Sequence, residues 1–410
     1  MTETHELRIA VIGAGPAGVY SSDIFLRQLK KLGEELGLGT AARIDLFEKL
    51  PVPFGLVRYG VAPDHPSIKF IASALEKTLD NPDIHLYCDV EFGKDVTLDE
   101  LLERYDAVLF ATGAVEDKPL GLPGADLDGV YGAAKFVEWY DGYPTGAREW
   151  PLEAEEVAVI GGGNVAMDVT RSSIRLGADK VTCVYRRRQA DMTALPDEIT
   201  GALAEGAELM TLAAPVRIEA DEDGAAKALW VQPQIIGEVD KAGRPRPGKA
   251  ALEEVRIPAD VIVVAIGQGI EIQGFDQAGV PIQRGTFVAG LSGQVRDMDS
   301  VFAGGDCVTG PATAIRAIAA GKVAAANIDE HLGFRHEITV DVEIPSPKLN
   351  NSPPHGRIDT TEREACERKH DFEDIECGLT QEGACAEAGR CLRCDHFGYG
   401  IFRGGRNEKW

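Results

Sequence analysis

Two glycine-rich loops in the sequence have the residue types and spacing that hold the pyrophosphate of a dinucleotide. The first is GAGPAG, residues 13–18, and the second is GGGNVAMD, residues 161–168. In the pattern G-x-G-x-x-G the first glycine permits a tight turn, the second admits the pyrophosphate, and the third lets helix and strand pack closely. Free N–H groups and the helix dipole then face the phosphates. One such loop can be a plain glycine-rich turn, but two favour two nucleotide sites.

Each loop stands between an apolar run typical of a buried strand and a segment with helical character. Residues 7–12 precede the first loop, and residues 157–160 precede the second. A change from strand to helix at a glycine-rich turn is the setting in which the pattern binds a nucleotide. The glycine positions are filled by Gly13, Gly15 and Gly18 in the first loop and by Gly161, Gly163 and Ala166 in the second.

The residue after the next predicted strand indicates which nucleotide the first loop binds. Residues 43–47 are typical of a strand, and Glu48 follows them. A carboxylate at this position accepts hydrogen bonds from the ribose diol of FAD or NAD. Glu48 lies further from Gly18 than the usual separation of about 20 residues, so we expect a longer helix or an insertion at 31–42. The first loop is therefore predicted to bind FAD.

Three arginines, Arg186, Arg187 and Arg188, follow the strand predicted at 180–185. A carboxylate there would repel a 2′-phosphate, whereas guanidinium groups bind one through charge-assisted hydrogen bonds. A run of arginines can also be a solvated loop. Its position directly after this strand favours NADP(H) as the second nucleotide.

The composition limits the other classes of function. The chain has 410 residues, room for two or three domains, and a formal net charge of −24 that argues against binding nucleic acid or anionic membranes. No apolar run approaches about 20 residues, and no signal peptide is visible after Met1. We therefore expect a soluble, cytoplasmic protein that does not insert into membranes.

Short apolar runs that end in small residues recur along the chain and suit close passage of the backbone beside a dinucleotide. Together with the loops they predict an α/β fold of two Rossmann-like dinucleotide-binding domains, the second inserted in the first, plus a cysteine-rich C-terminal tail. The predicted parts are a first FAD-binding part at 1–113, an NADP(H)-binding domain at 114–267, a second FAD-binding part at 268–335, and a proline-rich connector with the tail at 336–410.

The tail contains most of the cysteines. Five of the eight follow residue 365, and four of them form the pattern C-x7-C-x5-C-x2-C as Cys377, Cys385, Cys391 and Cys394. Four thiolates can hold a tetrahedral zinc ion or an iron–sulfur cluster. The alternative is that only Cys391 and Cys394 matter, as a loop staple or as half of an intersubunit site. Basic and aromatic residues after 388 also favour docking of the tail on a partner.

Longer motifs resemble one superfamily of FAD- and NADPH-dependent oxidoreductases, over roughly residues 7–333. PVPFGLVRYGVAPDHP, residues 51–66, resembles the adrenodoxin reductase type of ferredoxin–NADP reductase. The segments GGGNVAMDVTRSSIRLGADKVTCVYRRR, residues 161–188, and VFAGGD, residues 301–306, resemble the small subunit of glutamate synthase. EAGRCLRCD in the tail resembles a segment found beside iron–sulfur sites in multi-subunit relatives.

The resemblance implies roles for individual residues. His65 matches a histidine close to the flavin ring and is the candidate catalytic residue, although a loop histidine bonded to backbone is an equal alternative. The implied FAD contacts are Gly13, Gly15, Pro16, Ala17, Gly18, Glu48, Lys49, Gly55, Leu56, Val90, Ala111, Thr112, Gly113, Gly305, Asp306, Thr313, Ala314 and Ile315. The implied NADP(H) contacts are Gly161, Gly163, Asn164, Val165, Ala166, Arg186, Arg187 and Glu198, the last near the nicotinamide half.

The implied function is a flavin oxidoreductase subunit of a hetero-oligomer. It would take a hydride from NADPH onto FAD and pass electrons to an iron–sulfur protein or a larger catalytic subunit that docks on the tail. The alternatives are a free-standing ferredoxin–NADP reductase, a glutamate synthase small-subunit-like electron donor, and a structural subunit whose flavin does not turn over. Glutamate synthase small subunits carry cysteine clusters ahead of the first loop, which this sequence lacks. Disulfide reduction is disfavoured because neither nucleotide domain contains a CxxC or CxxxxC pair.

Overall fold

The computed structural model describes residues 6–36, 41–63, 65–142, 154–239, 245–334 and 356–390. The strands are β1 (Leu7–Ile12), β2 (Ala42–Phe47), β3 (Ile84–Tyr87), β4 (Ala107–Phe110), β5 (Glu116–Asp117), β6 (Val130–Gly132), β7 (Glu156–Gly161), β8 (Lys180–Tyr185), β9 (Glu208–Thr211), β10 (Ala213–Ala220), β11 (Ala226–Val239), β12 (Pro245–Lys249), β13 (Val255–Pro258), β14 (Val261–Ala265), β15 (Gln268–Gly269), β16 (Ile282–Gln283), β17 (Thr286–Phe287) and β18 (Val301–Ala303). The helices are α1 (Pro16–Leu36), α2 (Leu56–Tyr59), α3 (Pro66–Lys69), α4 (Ile71–Leu79), α5 (Leu98–Arg104), α6 (Ala133–Tyr140), α7 (Asn164–Arg175), α8 (Pro196–Ala204), α9 (Asp306–Thr309), α10 (Ala314–His331), α11 (Ala365–Arg368) and α12 (Gln381–Gly389).

The first sheet has five parallel strands in the order β18-β4-β1-β2-β3. Its central strand, β1, is buried on both faces, as its continuous apolar run predicts. Helices α1 and α10 cover one face, where Phe25, Leu29 and Ile328 pack against strand residues. The other face packs against a cluster of aromatic rings that includes Phe92 and Phe275. The sheet thereby fixes the carboxyl ends of β1, β4 and β18 beside one another.

The second sheet has the same parallel character, with strand order β6-β14-β7-β8-β9. One face is covered by α6, α7 and α8, where Phe136, Met167 and Ile199 are buried. The other face is covered by antiparallel strands, with Leu229 and Val231 of β11 in the core. This sheet brings the carboxyl end of β7 beside that of β8.

The two sheets are interleaved in the sequence. Strands β1 to β4 and β18 build the first sheet. Every strand of the second sheet follows β4 and precedes β18 in the chain. Strands β5 and β15, at the two crossings between the sheets, pair with each other in antiparallel fashion. The predicted α/β class with parallel, Rossmann-like domains is confirmed.

Some predicted elements have different lengths in the structure. Helix α1 continues to Leu36, so a longer helix, one of the two expected alternatives, accounts for much of the wide separation of Gly18 and Glu48. Within the predicted connector and tail, the structure describes two helices, α11 of four residues and α12 of nine. Residues 335–355, most of the predicted connector, and residues 391–410 lie outside the described ranges. None of the described helices is both long and apolar enough to cross a bilayer.

Candidate functional site

The first glycine-rich loop is shaped by close backbone contacts that only glycine permits. A Cβ atom on Gly13 would lie 2.4 Å from the carbonyl oxygen of Ala111, and one on Gly18 would lie 2.1 Å from the carbonyl oxygen of Gly13. Gly13 has φ +107° and donates its N–H to the Phe47 carbonyl at 2.7 Å. A Cβ atom on Gly15 would meet nothing within 4 Å. Gly15 therefore borders open space at the start of α1, where a phosphate group can approach the backbone.

Glu48 is bound to this loop by backbone hydrogen bonds. Its Oε2 accepts from the Ala14 N–H at 2.9 Å, and its Oε1 accepts from the Leu50 N–H at 3.0 Å. Burial raises the pKa of Glu48, against the opposing effect of these N–H donors. The carboxyl group therefore has a fixed orientation beside the loop, with remaining lone pairs for a ribose diol.

Replacing Glu48 by alanine is expected to lower FAD affinity about tenfold or more, because the ribose loses an acceptor and two loop N–H groups lose theirs. FAD released by denaturation, measured after dialysis, reports the occupancy. Glu100→Gln is the matched control, because that carboxylate caps the start of α5 by accepting from Thr97 at 2.9 Å and does not touch the loop. Full FAD occupancy in the Glu48 variant would contradict the assignment.

The neighbouring segments converge on the same loop. Phe54 donates its N–H to the Ala14 carbonyl at 2.9 Å, and a Cβ on Gly55 would lie 3.7 Å from the Gly15 Cα. Leu56 begins α2, which follows Gly55 directly, and Val90 donates its N–H to the Glu48 carbonyl at 3.0 Å. Lys49 forms ion pairs with Glu91 and Glu271, so its ammonium is already engaged by surface carboxylates.

The ends of β4 and β18 complete this side of the site. The predicted residues Ala111, Thr112 and Gly113 follow β4, Gly305 and Asp306 follow β18, and Thr313, Ala314 and Ile315 lie at the start of α10.

Asp306 has the strongest signature of a ligand contact among these residues. Its Oδ1 atom is buried and has no hydrogen-bond partner among the described residues. Burial raises the pKa of Asp306, although the backbone N–H of Ala312 opposes that shift. A buried carboxyl oxygen without a partner is costly unless a ligand supplies one. This atom and the open side of Gly15 fit a dinucleotide such as FAD.

The second glycine-rich loop has a similar construction. A Cβ on Gly161 would lie 2.3 Å from the Ala265 carbonyl oxygen, and one on Gly162 would lie 2.5 Å from the Tyr185 ring. Gly163 precedes α7, whose first residues are Asn164, Val165 and Ala166. The Asn164 side chain accepts a hydrogen bond from the Leu195 N–H at 2.9 Å and so joins α7 to the segment before α8. The N-terminus of α7 thus resembles that of α1 as a place for phosphate groups.

The three arginines after β8 differ in their environments. Arg186 is exposed, and Arg187 is half-buried and donates from Nε to the Pro245 carbonyl at 3.1 Å. Arg188 is engaged by Asp191, with hydrogen bonds of 2.8 and 2.9 Å. The guanidinium groups of Arg186 and Arg187 are therefore the better candidates for a 2′-phosphate.

The structure brings His65 next to two carboxylates of the second domain. His65 Nε2 lies 3.5 Å from Asp168 Oδ1, and one ligand atom from each of His65, Asp168 and Glu198 lies within 4.8 Å of the others. Arg171 Nη1 donates to Glu198 Oε2 at 2.6 Å. The His65 carbonyl also accepts a hydrogen bond from the Ile68 N–H at the start of α3.

Sequence reasoning did not identify Asp168 or Arg171. Asp168 follows Asn164 by one turn of α7, a spacing that aligns the two on one side of a helix and could have directed attention to it. Arg171 and Glu198 are 27 residues apart, and no local pattern joins them.

The described cysteines range from buried to exposed, with Cys88 intermediate. Cys183 and Cys307 are buried, and burial raises their pKa values to about 12 and about 11. Cys377 and Cys385 are exposed, and Cys391 and Cys394 lie outside the described residues. Of the four cysteines predicted to hold a metal, the structure therefore describes only Cys377 and Cys385.

The chain is similar to a known protein family and to several known proteins. A model of the family described as pyridine nucleotide-disulphide oxidoreductase matches residues 7–321. The chain is 33% identical to the NADP(+)-dependent formate dehydrogenase subunit beta of Moorella thermoacetica, covering 97% of this chain and 56% of that protein. It is 31% identical to the glutamate synthase [NADPH] small chain of Halomonas elongata, and the match covers 80% of this chain and 68% of that protein.

Two further similarities concern the reductases. The mitochondrial NADPH:adrenodoxin oxidoreductase of Drosophila melanogaster is 44% identical over 165 residues, 40% of this chain and 33% of that protein. The structure of Mycobacterium tuberculosis FprA in complex with NADPH has a TM-score of 0.69 and 25% identity, covering 80% of this chain and 85% of that one. The predicted resemblance to both groups is confirmed. The chain spans about half the length of the first curated relatives it matches.

Proposed function

Since the chain belongs to the pyridine nucleotide-disulphide oxidoreductase family, we propose that it is an FAD- and NADPH-dependent electron-transfer subunit of a larger oxidoreductase. When bound, FAD would accept the hydride and then donate electrons to an iron–sulfur partner or a larger catalytic chain. The observation that carries the proposal is the contrast between the two loops. A carboxylate, Glu48, is bound to the first, and Arg186 and Arg187 follow the strand beside the second.

The chain's own residues bind and orient the two nucleotides. The open N-terminus of α1 receives one pyrophosphate and that of α7 the other, while the two arginines hold the 2′-phosphate. His65, Asp168 and Glu198 lie between the domains and orient the nicotinamide half, with His65 Nε2 facing the Asp168 carboxylate. Hydride transfer itself requires no side-chain acid or base, so these residues act by positioning.

Anaerobic addition of NADPH tests the activity. We expect the visible absorption band of the flavin to bleach at substoichiometric to stoichiometric NADPH, and to return when an acceptor such as ferricyanide is added. A structural subunit would keep its oxidised spectrum, and that result would overturn the proposal.

We further propose that the chain works in a hetero-oligomer, in keeping with relatives named as subunits. A free-standing reductase is the second candidate, because the similarity to FprA covers 85% of that chain. Purification from native cells separates the two. A larger subunit that co-elutes with the chain supports the first, and a chain that elutes alone and reduces a ferredoxin supports the second.

We propose that Cys377, Cys385, Cys391 and Cys394 bind an iron–sulfur cluster or zinc and that the tail docks on the partner. Cys377 and Cys385 are exposed thiols before and within α12, and thiolate donors suit either metal. Cys377→Ser and Cys385→Ser are expected to abolish bound metal, whereas Cys366→Ser, a substitution of another exposed tail cysteine, should leave it unchanged. Metal analysis and EPR of anaerobic protein measure this. Equal metal content in all variants contradicts the site.

Disulfide reduction is disfavoured by the environment of Cys307. Its side chain is fully buried, and its Sγ donates to the Phe110 and Gly304 carbonyls at 3.5 and 3.2 Å. With a pKa of about 11, only about one part in 10⁴ is thiolate at neutral pH.

Replacing Cys307 by alanine is therefore expected to leave NADPH oxidation within about twofold of wild type, because the thiol has no part in the reaction. Steady-state turnover with ferricyanide measures it, and Cys183→Ala, at the other buried thiol, is the control. A loss of turnover beyond tenfold with FAD retained would show that Cys307 is used.

We also retain as proposals a cytoplasmic location and the domain boundaries after residues 113, 267 and 335. The first two boundaries are supported by strand ends, since β4 ends at Phe110 and β14 at Ala265.

A further inference from the structure

A buried carboxylate on the second domain is surrounded by three arginines from two distant parts of the chain. The Glu205 side chain is fully buried, and those of Arg171, Arg175 and Arg368 are 4%, 0% and 4% exposed. Arg171 and Arg175 belong to α7, whereas Arg368 ends α11 in the described C-terminal segment, residues 356–390. This segment therefore inserts a charged side chain into the interior of the nucleotide-binding domain.

The hydrogen bonds make one connected group. Glu205 Oε1 accepts from Arg171 Nη2 at 2.7 Å and from Arg368 Nε at 2.9 Å, and Arg175 Nη1 lies 3.0 Å from Oε2. Burial alone would raise the pKa of Glu205, but the hydrogen bonds and charge of Arg171 and the charge of Arg175 outweigh it, so the pKa is lowered. Glu205 is therefore a carboxylate in the folded protein, and loss of an arginine partner leaves buried charge less well compensated.

The same group reaches the candidate nicotinamide site. Arg171 uses one end of its guanidinium for Glu205 and donates from Nη1 to Glu198 Oε2 at 2.6 Å. Glu198 in turn lies beside His65 and Asp168. The planar guanidinium cannot turn toward one carboxylate without moving relative to the other. The position of Glu205 thus sets the position of Glu198.

We propose that Arg368 is a positioning residue through which the C-terminal segment sets the NADPH site. Docking of the segment fixes Glu205, Glu205 orients Arg171, and Arg171 holds the Glu198 carboxylate toward the nicotinamide half. The inference rests on the proposed function for the placement of NADPH beside Glu198. The C-terminal segment then has a role besides any metal binding. A partner that displaced the segment would weaken NADPH binding.

One further contact joins the segment to this group, and others lie within the segment itself. Arg175 donates from Nε to the Asp371 carbonyl at 2.9 Å, and Asp371 forms two hydrogen bonds of 2.7 Å with Arg363. Arg368 also pairs with Glu362 and donates to the Arg363 carbonyl. The segment therefore brings its own structure to the contact, and Arg368 is the side chain that joins it to Glu205.

The test is a double-mutant cycle on Arg368 and Glu198 in the full chain. Arg368→Met is expected to raise the KM for NADPH about 5- to 10-fold, a typical size for coupling between sites, with FAD content and kcat with ferricyanide little changed. Arg368→Lys keeps the charge and should recover part of this loss.

Arg357→Ala is the control. Arg357 pairs with Asp359 on the exposed surface of the same segment, so this substitution should leave the KM for NADPH unchanged. In a Glu198→Gln background, Arg368→Met should raise the KM for NADPH by less than about half as much, because both substitutions act through the same series of contacts.

The outcomes separate the inference from the proposed function. If Glu198→Gln raises the KM for NADPH and Arg368→Met does not, or if the two effects multiply independently, the inference is wrong and the proposed function is unaffected. If Glu198→Gln leaves NADPH binding unchanged, the placement of the nicotinamide half is wrong. Should Arg368→Met fail to fold, the cycle with Arg368→Lys decides on the same criteria.

Discussion

Replacing Arg186 and Arg187 together by alanine is expected to lower kcat/KM for NADPH about 100-fold, while kcat/KM for NADH changes less than about threefold. Each charge-assisted hydrogen bond to a phosphate contributes about 1.5–3 kcal/mol, so the loss of two corresponds to at least two orders of magnitude. NADH has no 2′-phosphate and loses nothing at this position. Steady-state kinetics with both coenzymes, in the same preparation, measure the change in preference.

The neighbouring Arg188 gives this experiment its control. Its guanidinium is held by Asp191 with two short hydrogen bonds, so Arg188→Ala is expected to leave the preference for NADPH intact. Arg187 also donates to the Pro245 carbonyl, so its single variant shows whether that contact matters for stability. Equal losses with NADPH and NADH would sink the idea that these arginines read the phosphate.

Substitution of the glycines in the first loop is expected to separate cofactor binding from folding. Gly15→Ala places a methyl group in open space, so the stability of the cofactor-free protein should not change. FAD affinity should fall about 100-fold, because the methyl group occupies the place where the pyrophosphate approaches the backbone and breaks hydrogen bonds of about 1.5–3 kcal/mol each.

Gly18→Ala is the companion variant. Its Cβ would lie 2.1 Å from the Gly13 carbonyl oxygen, so the loop or α1 must shift even without a cofactor. We expect a loss of about 1–3 kcal/mol in unfolding free energy, as for other overpacked sites, together with loss of FAD. Chemical denaturation of the cofactor-free proteins and FAD titration measure the two quantities. If Gly15→Ala binds FAD like wild type, the pyrophosphate does not lie at this loop.

The features that sequence reasoning predicted well are those encoded within a short stretch of chain. The strand, glycine turn and helix within residues 7–36 follow from an apolar run, the spacing of the glycines and the helical character of the next segment, all of them local. The positions of Glu48 and the three arginines directly after β2 and β8 were predicted, because each follows a recognisable strand. The interleaved order of the two sheets was also predicted, because apolar runs that end in small residues recur on both sides of the second loop.

The remaining features depend on contacts between distant residues. Arg368 and Glu205 are 163 residues apart, and their pairing depends on how the C-terminal segment packs on α7. His65 and Asp168 meet because a loop of the first domain lies against the second. No periodicity or spacing records such a pairing, because it is fixed by tertiary packing.

The place of β18 at the edge of the first sheet has a consequence for the order in which the chain folds on the ribosome. The second sheet is complete once β14 has been synthesised, whereas β4 obtains its outer neighbour only when β18 emerges. During this interval β4 presents an unpaired edge of apolar residues, the kind of surface on which nascent chains associate wrongly. The second sheet can thus form while the first still lacks its edge strand β18.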